Sequence, residues 1–341
     1  MQALILAGGK GTRLEPLTIN TPKSVIPLGN KTILETQLRL LKAAGIKDII
    51  LSLSYEPSII KKMLGSGSDL GVRLNYLVEP EPRGTAGAYK FAEKFIDSTT
   101  IILNGDILTD LDLQSVINQH RSLNSSATIV LTEVENPKAY GLVELDENKN
   151  VLEFLEKPET NYKEKSEIKT INAGIYILEP HILNYIPEDE NCSFEYYLFP
   201  DLLRRKESFC AYVAQDAYWL DIGTPKRYLL AHQDLINSKV KNFQINRNRN
   251  FEARKGAEID SLSIIEDGCI ISCGAKIIKS VLGKNVFIGE NTIIKNSVIW
   301  SGTKIDSQSY ISNSILGNNC RIGKNISLSE HTILSSNTVL F

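Results

Sequence analysis

The sequence has few of the residues that build disulfide scaffolds or protein metal clusters. Its 341 residues include five cysteines and only four histidines. The cysteines, which show no C-x-x-C spacing, are Cys192, Cys210, Cys269, Cys273 and Cys320. An odd number of cysteines without that spacing predicts reduced thiols and a cytoplasmic protein. The scattered histidines form no zinc-binding arrangement.

Long apolar runs and an excess of one charge are also missing. No run approaches the roughly eighteen apolar residues that a membrane helix needs, and the first residues lack the basic segment of a signal peptide. Lysine and arginine number 38 against 40 aspartates and glutamates, which argues against nucleic acid or an anionic membrane as the main partner. We therefore expect a soluble protein that binds neither of them.

Glycine and positive charge are instead concentrated in one stretch, Leu6–Leu28, which reads LAGGKGTRLEPLTINTPKSVIPL. It follows apolar residues typical of a buried parallel strand. Its glycines allow the backbone to turn sharply and to present N–H groups to a ligand. Arg13 and Lys23 lie on a segment that prolines stiffen. Exposed N–H groups together with two cations predict a polyphosphate site.

Two common phosphate-binding motifs are absent from this stretch. No glycine precedes a lysine and a hydroxyl residue at the Walker A spacing. The segment that starts at Gly9 reaches Leu14 where the dinucleotide fingerprint needs glycine. The pattern therefore indicates another class of nucleotide site.

Strand-like and helix-like segments alternate through residues 1–237, which predicts an α/β fold with a doubly wound, mostly parallel sheet. Thr32 and Glu35 form the pattern of a capping box and predict the start of the first helix. Ligands of such sheets bind beyond the carboxyl ends of the strands. Gly8, Asp106 and the segment after Val78 are expected at that edge.

Residues 259–341 contain a repeat. Serines recur every seventeen positions, and within each unit an apolar residue returns about every six. Three six-residue faces per turn predict a triangular β-helix whose coils share one apolar core. Cys269 and Cys320 are expected to be small core residues. The predicted domains are a catalytic domain at 1–237, a solvated basic linker at 238–258 and the β-helix at 259–341.

The stretch Leu6–Leu28 resembles, over its whole length, the signature GGxGTRLxPLTxxxPKxxxPL of sugar-1-phosphate nucleotidylyltransferases. The repeat is similar to the left-handed hexapeptide-repeat β-helix found in that family, so the resemblance covers the whole chain. Five shorter segments resemble family motifs in the same order: Asn104-Gly105-Asp106, Tyr140-Gly141, Glu156-Lys157-Pro158, Asn172-Ala173-Gly174 and Trp219-Leu220-Asp221-Ile222-Gly223.

The resemblance implies a role for each matching residue. The catalytic cations would be Arg13 and Lys23 on the triphosphate and Lys157 on the sugar phosphate. Asp106 and Asp221 would hold Mg²⁺. The sugar would contact Gly141, Glu156 and Asn172. The nucleotide would contact Leu6, Ala7, Gly8, Gly9, Gly11, Thr12, Gly84, Thr85 and Gly87.

These residue types suit the chemistry of nucleotidyl transfer. The attacking phosphate oxygen is already anionic, so no general base is needed. The difficulty is to bring two anionic substrates together and to stabilise charge on the α-phosphate and the departing pyrophosphate. Cations and carboxylate-bound Mg²⁺ meet that need.

The choice of base rests on Arg83-Gly84-Thr85-Ala86-Gly87. This segment resembles the L-G-T-A-G of mannose-1-phosphate guanylyltransferases, with Arg83 in place of the usual leucine. We expect Gly84 and Gly87 to leave room for a purine, and the N–H groups of Thr85 and Ala86 to meet acceptors such as guanine O6. GTP and mannose 1-phosphate are therefore the favoured substrates. Glucose-1-phosphate uridylyl- or thymidylyltransferase and heptose-1-phosphate guanylyltransferase are the alternatives.

Two other classes of protein were weighed against this interpretation. Many hexapeptide β-helices transfer acyl groups with a histidine base, but His331 is the only histidine of the repeat and has no acyl-CoA extension beside it. A non-catalytic regulatory homologue would lose charged site residues, and none is lost here. We expect the β-helix to contribute to a homo-oligomer or to shape the catalytic domain, and to perform no chemistry.

Overall fold

The computed structural model describes residues 1–134, 137, 140–155, 170–241, 243–245, 250–329 and 331–341. The chain forms two compact units. Met1–Gly9 and Gln37–Trp219 make up the first, and Lys10–Thr36 and Leu220–Phe341 the second. The segment that carries Arg13 and Lys23 thus belongs to the unit that contains the repeat. The predicted domain boundaries, which follow the order of the chain, stay predictions.

The first unit is built on a nine-stranded sheet. Seven strands follow one another across it in the order Val151–Leu155, Leu142–Leu145, Thr170–Leu178, Thr100–Asn104, Gln2–Leu6, Asp48–Leu53 and Arg73–Val78. Ala127–Glu133 also pairs with Thr170–Leu178, and Phe209–Ala214 pairs with Ala127–Glu133. The short strands Ile107–Thr109 and Trp219–Asp221 lie outside this sheet.

The prediction of a doubly wound α/β fold is confirmed, and the sheet is mixed. Gln2–Leu6 is parallel to the strands on both its sides, and Asp48–Leu53 is parallel to Arg73–Val78. Thr170–Leu178 runs antiparallel to its neighbours. Leu142–Leu145 and Val151–Leu155 are also antiparallel to each other.

Six α-helices accompany the strands in the described residues: α1 Ile33–Ala43, α2 Pro57–Leu64, α3 Gly84–Phe91, α4 Leu113–Ser122, α5 Phe199–Arg205 and α6 Pro225–Ile236. The capping box of α1 is confirmed: the Thr32 N–H donates to Glu35 Oε2 at 2.7 Å, and the Glu35 N–H donates to Thr32 Oγ1 at 3.1 Å. A π-helical turn, Phe194–Leu198, directly precedes α5. Pro200 lacks the N–H that a continuous α-helix needs there.

The core of the first unit lies between the sheet and its helices. Leu4, Ile102, Tyr176 and Tyr89 are fully buried in it, and Phe194 stacks on Phe199 with ring centroids 5.7 Å apart. In the described part of the chain, no helix is both long and apolar enough to cross a membrane.

In the second unit, the repeat forms three parallel sheets of six, five and five short strands. The first contains Glu252–Ala253, Ile270–Ile271, Phe287–Ile288, Lys304–Ile305, Arg321–Ile322 and Val339–Leu340. The second contains Glu258–Ile259, Lys276–Ile278, Ile293–Lys295, Tyr310–Ser312 and Ser327–Leu328. The third contains Ile264–Ile265, Val281–Leu282, Val298–Ile299, Ile315–Leu316 and Ile333–Leu334. The predicted three-faced β-helix is therefore present, and its first paired strand begins at Glu252.

The interior of the β-helix has the predicted composition. The residues spaced six apart, such as Ile271 and Ile277 or Ile288 and Ile294, are fully buried in one cluster. Cys269 and Cys320, with 1% and 0% exposure, belong to the same cluster and are core residues as expected.

The seventeen-residue serine repeat forms a column of hydrogen bonds. The N–H of each serine donates to the hydroxyl of the serine one coil earlier, at 3.1 to 3.2 Å, through Ser263, Ser280, Ser297 and Ser314. All four side chains are buried. Because each hydroxyl satisfies a buried N–H of the next coil, the column fixes the stacking register.

Candidate active site

The carboxyl ends of the parallel strands meet at one edge of the first unit's sheet. Leu6 is in register with Ser52 and with Asn104, and Leu53 is in register with Val78. Ala7, Gly8, Asp106 and the segment after Val78 therefore follow directly from neighbouring strands. This arrangement confirms the edge at which the sequence placed them.

The first two glycines of the signature have different surroundings. The Ser54 hydroxyl donates to the Gly8 carbonyl, and a Cβ at Gly8 would lie 2.9 Å from Ser54 Oγ. Gly8 therefore permits the close approach of Ser54. Gly9 is exposed, and a Cβ there would have no neighbour within 4 Å. Open space at Gly9 is what an approaching phosphate requires.

In the second unit, residues 10–36 form an arm, a name used below for this segment only. Gly11 has a φ of +73°, and a Cβ there would lie 2.9 Å from the Cβ of Lys23. The Thr18 hydroxyl donates to the Gly11 carbonyl at 2.8 Å. The arm thus folds back on itself, and the glycine lets Lys23 lie against the start of the arm.

Arg13 and Asp221 come together in the second unit. A Cβ at Gly223 would lie 3.2 Å from Arg13 Nη2 and 3.1 Å from Asp221 Oδ2, so both side chains pass over the same glycine. Arg227 Nη1 hydrogen-bonds both oxygens of the Asp221 carboxylate. Sequence reasoning missed Arg227. It is the third residue of α6, and nothing in the sequence distinguishes it there from a solvated arginine.

The N-terminus of α6 places Arg227. Thr224 is the N-cap, its hydroxyl accepts from the Arg227 N–H at 3.3 Å, and Pro225 is the first helical residue. Proline fits there because the first helical N–H has no partner within the helix. Asp221 thus lies just before a capped helix start.

In the first unit, Asp106 lies in a tight turn after Thr100–Asn104. The Gly105 N–H donates to the Leu6 carbonyl at 3.0 Å, and a Cβ at Gly105 would lie 2.7 Å from that same oxygen. Gln37 Nε2 donates to the carbonyls of Asn104 and Ile107, at 2.8 and 3.1 Å. Gln37, which sequence reasoning also missed, fixes both ends of the turn that carries Asp106.

Asn172 and Gly141 also lie together in the first unit. The Asn172 N–H donates to the Gly141 carbonyl at 3.0 Å. The register of Thr170–Leu178 shifts between Asn172 and Tyr176, with Gly174 at a φ of +69°. Asn172 Oδ1 accepts from the Gly174 N–H at 2.8 Å. Such bulges often aim side chains at functional sites.

Aromatic residues frame this bulge. Trp219 Nε1 donates to the Ala173 carbonyl at 2.9 Å, and the Tyr140 ring meets the Trp219 ring edge-on with centroids 5.7 Å apart. The Tyr-Gly, Asn-Ala-Gly and Trp-containing motifs, far apart in sequence, therefore occupy one place. Glu156 and Lys157 lie outside the described residues.

Glu195 connects Thr85 with Asn172. Its Oε2 accepts from the Thr85 hydroxyl at 3.3 Å and its Oε1 from the Tyr176 hydroxyl at 3.2 Å. Asn172 Nδ2 in turn donates to the Tyr176 hydroxyl at 2.8 Å. Sequence reasoning missed Glu195, because its partner Thr85 lies 110 residues away in the chain.

The Gly84-Thr85-Ala86-Gly87 segment packs against the backbone of residues 190–192. The N–H groups of Ala86 and Gly87 both donate to the Cys192 carbonyl, at 3.0 and 3.1 Å. From the sequence we expected the Ala86 N–H to meet an acceptor on the base. That expectation is wrong, because this N–H already donates to the Cys192 carbonyl. A Cβ at Gly84 would lie 2.4 Å from the Cys192 oxygen, and one at Gly87 would lie 2.6 Å from the Glu190 oxygen. These glycines admit the backbone of residues 190–192.

Arg83, which replaces the usual leucine, has partners within the first unit. Its Nη1 pairs with Asp189 at 2.6 Å, and its guanidinium lies 4.4 Å from the centre of the Phe91 ring. The arginine thus holds the same 189–192 segment against α3.

The two predicted metal ligands belong to different units, Asp106 to the first and Asp221 to the second. Both are carboxylates, and Mg²⁺ is usually bound by one or two carboxylates together with substrate phosphates. Among the residues that the structure describes, no group of three or more His, Cys, Asp or Glu side chains could hold a metal alone. The binding of a metal ion by both carboxylates stays a prediction.

A glycine turn beyond a parallel strand, followed by a cationic arm, defines a nucleotide-binding α/β protein. A family model described as nucleotidyl transferase matches residues 2–238, so the chain belongs to the nucleotidyl transferase family. A second model, described as the left-handed β-helix (LbH) domain of the EIF2B epsilon subunit, matches residues 243–341. Nucleotidyltransferases of this family generally use a divalent metal ion.

Several proteins are similar to this chain in sequence. The chain is 33% identical to a mannose-1-phosphate guanylyltransferase of Mycobacterium tuberculosis, over 86% of this chain and 77% of that protein. It is 39% identical to the catalytic subunit beta of a mannose-1-phosphate guanylyltransferase from Drosophila pseudoobscura, over 67% of this chain and 60% of that protein. The crystal structure of HddC from Yersinia pseudotuberculosis matches with a TM-score of 0.58 and 34% identity, over 67% of this chain and 97% of that one.

Proposed function

We propose that the protein transfers a nucleotidyl group from an NTP to a sugar 1-phosphate, forming an NDP-sugar and pyrophosphate, with GTP and mannose 1-phosphate as the preferred pair. The observation that carries the proposal is the meeting of Arg13 with Asp221 over Gly223. A cation for the triphosphate and a carboxylate for its metal ion are thereby brought to one point. The names of the guanylyltransferase relatives support the choice of substrates.

The proposed reaction is an in-line attack by the sugar phosphate on the α-phosphate. Gly8, Gly9 and Gly11, with Leu6, Ala7 and Thr12, would contact the nucleotide, and Arg13 and Lys23 would bind the triphosphate. These cations would stabilise negative charge as it moves onto the pyrophosphate. Magnesium, held by Asp106 and Asp221, would neutralise further phosphate charge when bound.

The sugar phosphate would bind at the bulge of the first unit. Asn172 and the backbone of Gly141 would contact sugar hydroxyls together with Glu156, and Lys157 would hold the phosphate. Gly84, Thr85 and Gly87 would act on the nucleotide by shaping the segment at 190–192. A cytoplasmic location and a homo-oligomer assembled through the β-helix complete the proposal.

A pyrophosphate-release screen tests the proposal. Purified protein is assayed with ATP, GTP, CTP, UTP and dTTP against the 1-phosphates of mannose, glucose, heptose and N-acetylglucosamine, with and without Mg²⁺. The expected result is the highest kcat/KM for GTP with mannose 1-phosphate. If UTP or dTTP equals GTP with every sugar, the guanylyl assignment is wrong. If no pair releases pyrophosphate, nucleotidyl transfer itself is wrong.

A further inference from the structure

Trp300 departs from the pattern of the coil in which it lies. The equivalent positions, seventeen residues apart, are Glu266, Gly283 and Gly317. All four residues make the same backbone hydrogen bond to the next coil, and in Trp300 it is the N–H donating to the Leu316 carbonyl at 2.9 Å. Because glycine builds this corner twice, the β-helix does not need a large aromatic ring there.

The Trp300 side chain is instead buried against α6. Its exposure is 1%, and Nε1 donates to the Tyr228 hydroxyl at 2.9 Å. The two rings meet edge-on with centroids 6.4 Å apart. Tyr228 is fully buried as well. A tryptophan has one donor and no acceptor, so this single bond satisfies all of its hydrogen-bonding capacity.

Tyr228 passes the connection on to the arm. Its hydroxyl donates to the carbonyl of Pro27, four residues after Lys23. One helical turn later, His232 Nε2 accepts from the Gly29 N–H at 3.2 Å, while Nδ1 lies 3.0 Å from the Tyr228 carbonyl. Since Gly29 supplies the proton, His232 carries its own hydrogen on Nδ1. The strands Pro27–Leu28 and Lys31–Thr32, with the turn between them, are thus held from α6.

The β-helix and its preceding segment also contact this hairpin directly. A Cβ at Gly29 would lie 3.4 Å from the Phe243 ring and 3.7 Å from Ile264 Cδ1. Lys31 Nζ lies 4.2 Å from the centre of the Phe243 ring. Trp300 itself is linked to the arm through Tyr228.

We propose that Trp300 is a positioning residue for nucleotide binding, which acts through Tyr228 on the arm that carries Arg13 and Lys23. This inference rests on the proposed function, because that function gives the arm its role on the triphosphate. An arm that is fixed by its hydrogen bonds binds the nucleotide at no further cost in conformational entropy. An arm without these bonds must become ordered when the nucleotide binds, and this cost lowers the affinity. The β-helix therefore contributes to substrate affinity from a residue that does not touch substrate.

The kinetic test uses Trp300→Phe, which keeps an aromatic ring and removes the donor, and Tyr228→Phe, which removes the bond to Pro27. Trp300→Gly, the residue of two equivalent corners, is a second probe that the coil accommodates. We expect KM for the NTP to rise roughly threefold to tenfold in each, the size of one lost hydrogen bond. KM for the sugar 1-phosphate and kcat should change less than about twofold. Tyr310→Phe, an exposed tyrosine of the same β-helix, is the matched control.

A merely structural role would lower Tm and the active fraction, and hence kcat, with KM for the NTP unchanged. That pattern in all three variants would overturn the proposal. An unchanged protein in every parameter would do the same.

A binding measurement separates this inference from the proposed reaction. The chain has two tryptophans, so Trp219→Phe leaves Trp300 as the only one. GTP, UTP and dTTP are titrated against this variant, and the emission of Trp300 is expected to change on binding. Adding Tyr228→Phe should weaken the nucleotide's apparent affinity threefold or more. If nucleotide binds with no change in emission and with equal affinity in both backgrounds, Trp300 has no such role, whether or not turnover is observed.

Discussion

Residues of the same type in the family motifs have different structural environments. Asp221 is paired with Arg227, which orients its carboxylate and balances its charge. Asp106 is fixed through its turn, by Gly105 and Gln37. Gly9 faces open space, whereas Gly87 is packed against the Glu190 carbonyl. Each difference leads to a different expected result on mutation.

Asp106→Asn and Asp221→Asn should each lower kcat by about a hundredfold or more, because each removes a negative charge from a metal ion at the reacting phosphate. Tm should stay within a few degrees of wild type. Steady-state assays at saturating substrates, over a range of Mg²⁺, measure the effect. Asp69→Asn, on the surface of the same unit as Asp106, is the control. Near-normal turnover in both site variants would remove these residues from the metal site.

Gly9→Ala and Gly87→Ala should differ in kind. The added methyl group at Gly9 meets no protein atom within 4 Å, so folding should be unchanged and KM for the NTP should rise. At Gly87 it would lie 2.6 Å from a backbone oxygen, and overpacking of this kind costs about 1–3 kcal/mol of unfolding free energy. Thermal unfolding and NTP kinetics on both variants test the contrast. A stable Gly87→Ala protein with an altered base preference would contradict this expectation and would support direct contact between Gly87 and the base.

At the scale of elements, α6 is the helix that joins the site to its support within the second unit. Its first turn presents Arg227 to Asp221, and its buried face presents Tyr228 and His232 to the arm. Gln233 Nε2 donates to the Lys279 carbonyl of the β-helix at 3.1 Å. One helix of twelve residues therefore carries contacts to the arm, to a predicted metal ligand and to the β-helix.

Burial lowers the pKa of His232 from 6.5 to about 4. Between these values the unfolded chain binds a proton that the folded chain does not, so the free energy of unfolding falls as pH falls from 6.5 towards 4. The contribution of His232 to the free energy of unfolding is fully present above pH 6.5 and amounts to about 3 kcal/mol. Protonation would also remove the acceptor for the Gly29 N–H.

Urea unfolding of wild type and His232→Gln at pH 7.5 and pH 5 measures this contribution. The variant should lose less stability on acidification than wild type does, although it is less stable at pH 7.5. Equal losses in the two proteins would show that His232 does not carry the pH dependence.

Periodic and local features of the elements were predictable from sequence, and distant pairings were not. The six-residue spacing led to the β-helix because every coil repeats the same local geometry. Thr32 with Glu35 marked a helix start because caps act within four residues. The bonds from Trp300 to Tyr228 and from Glu195 to Thr85 join residues 72 and 110 positions apart. No local rule connects such residues, so the hydrogen bonds from Ala86 and Gly87 to the Cys192 carbonyl could not be predicted either.

At the scale of the molecule, the β-helix shares a compact unit with the arm. The sequence suggested that it assembles subunits or shapes the catalytic domain. The contacts of Phe243, Ile264 and Trp300 with the arm and α6 favour the second of these roles.

Truncation after Asn237 should therefore impair catalysis as well as assembly. The shortened chain would lose Trp300, which covers Tyr228, and Phe243 and Ile264, which pack near Gly29. Apolar surface that these residues bury would then be exposed to water. We expect a protein of low solubility, or a soluble one whose KM for the NTP is raised at least tenfold. Size-exclusion chromatography and pyrophosphate release measure both properties. A soluble truncated protein with a wild-type KM would confine the β-helix to assembly.

The serine column gives the β-helix a direction in which it can grow. A further seventeen-residue coil inserted beyond Gly317 would find the same hydroxyl and the same N–H to continue the stack, and would leave Trp300 beside Tyr228. The same insertion placed before Trp300 would displace that ring by one strand spacing, about 4.8 Å, and separate the pair. Length is therefore free to vary at the C-terminal end of the β-helix, while the coils from Ser263 to Trp300 have a count set by α6.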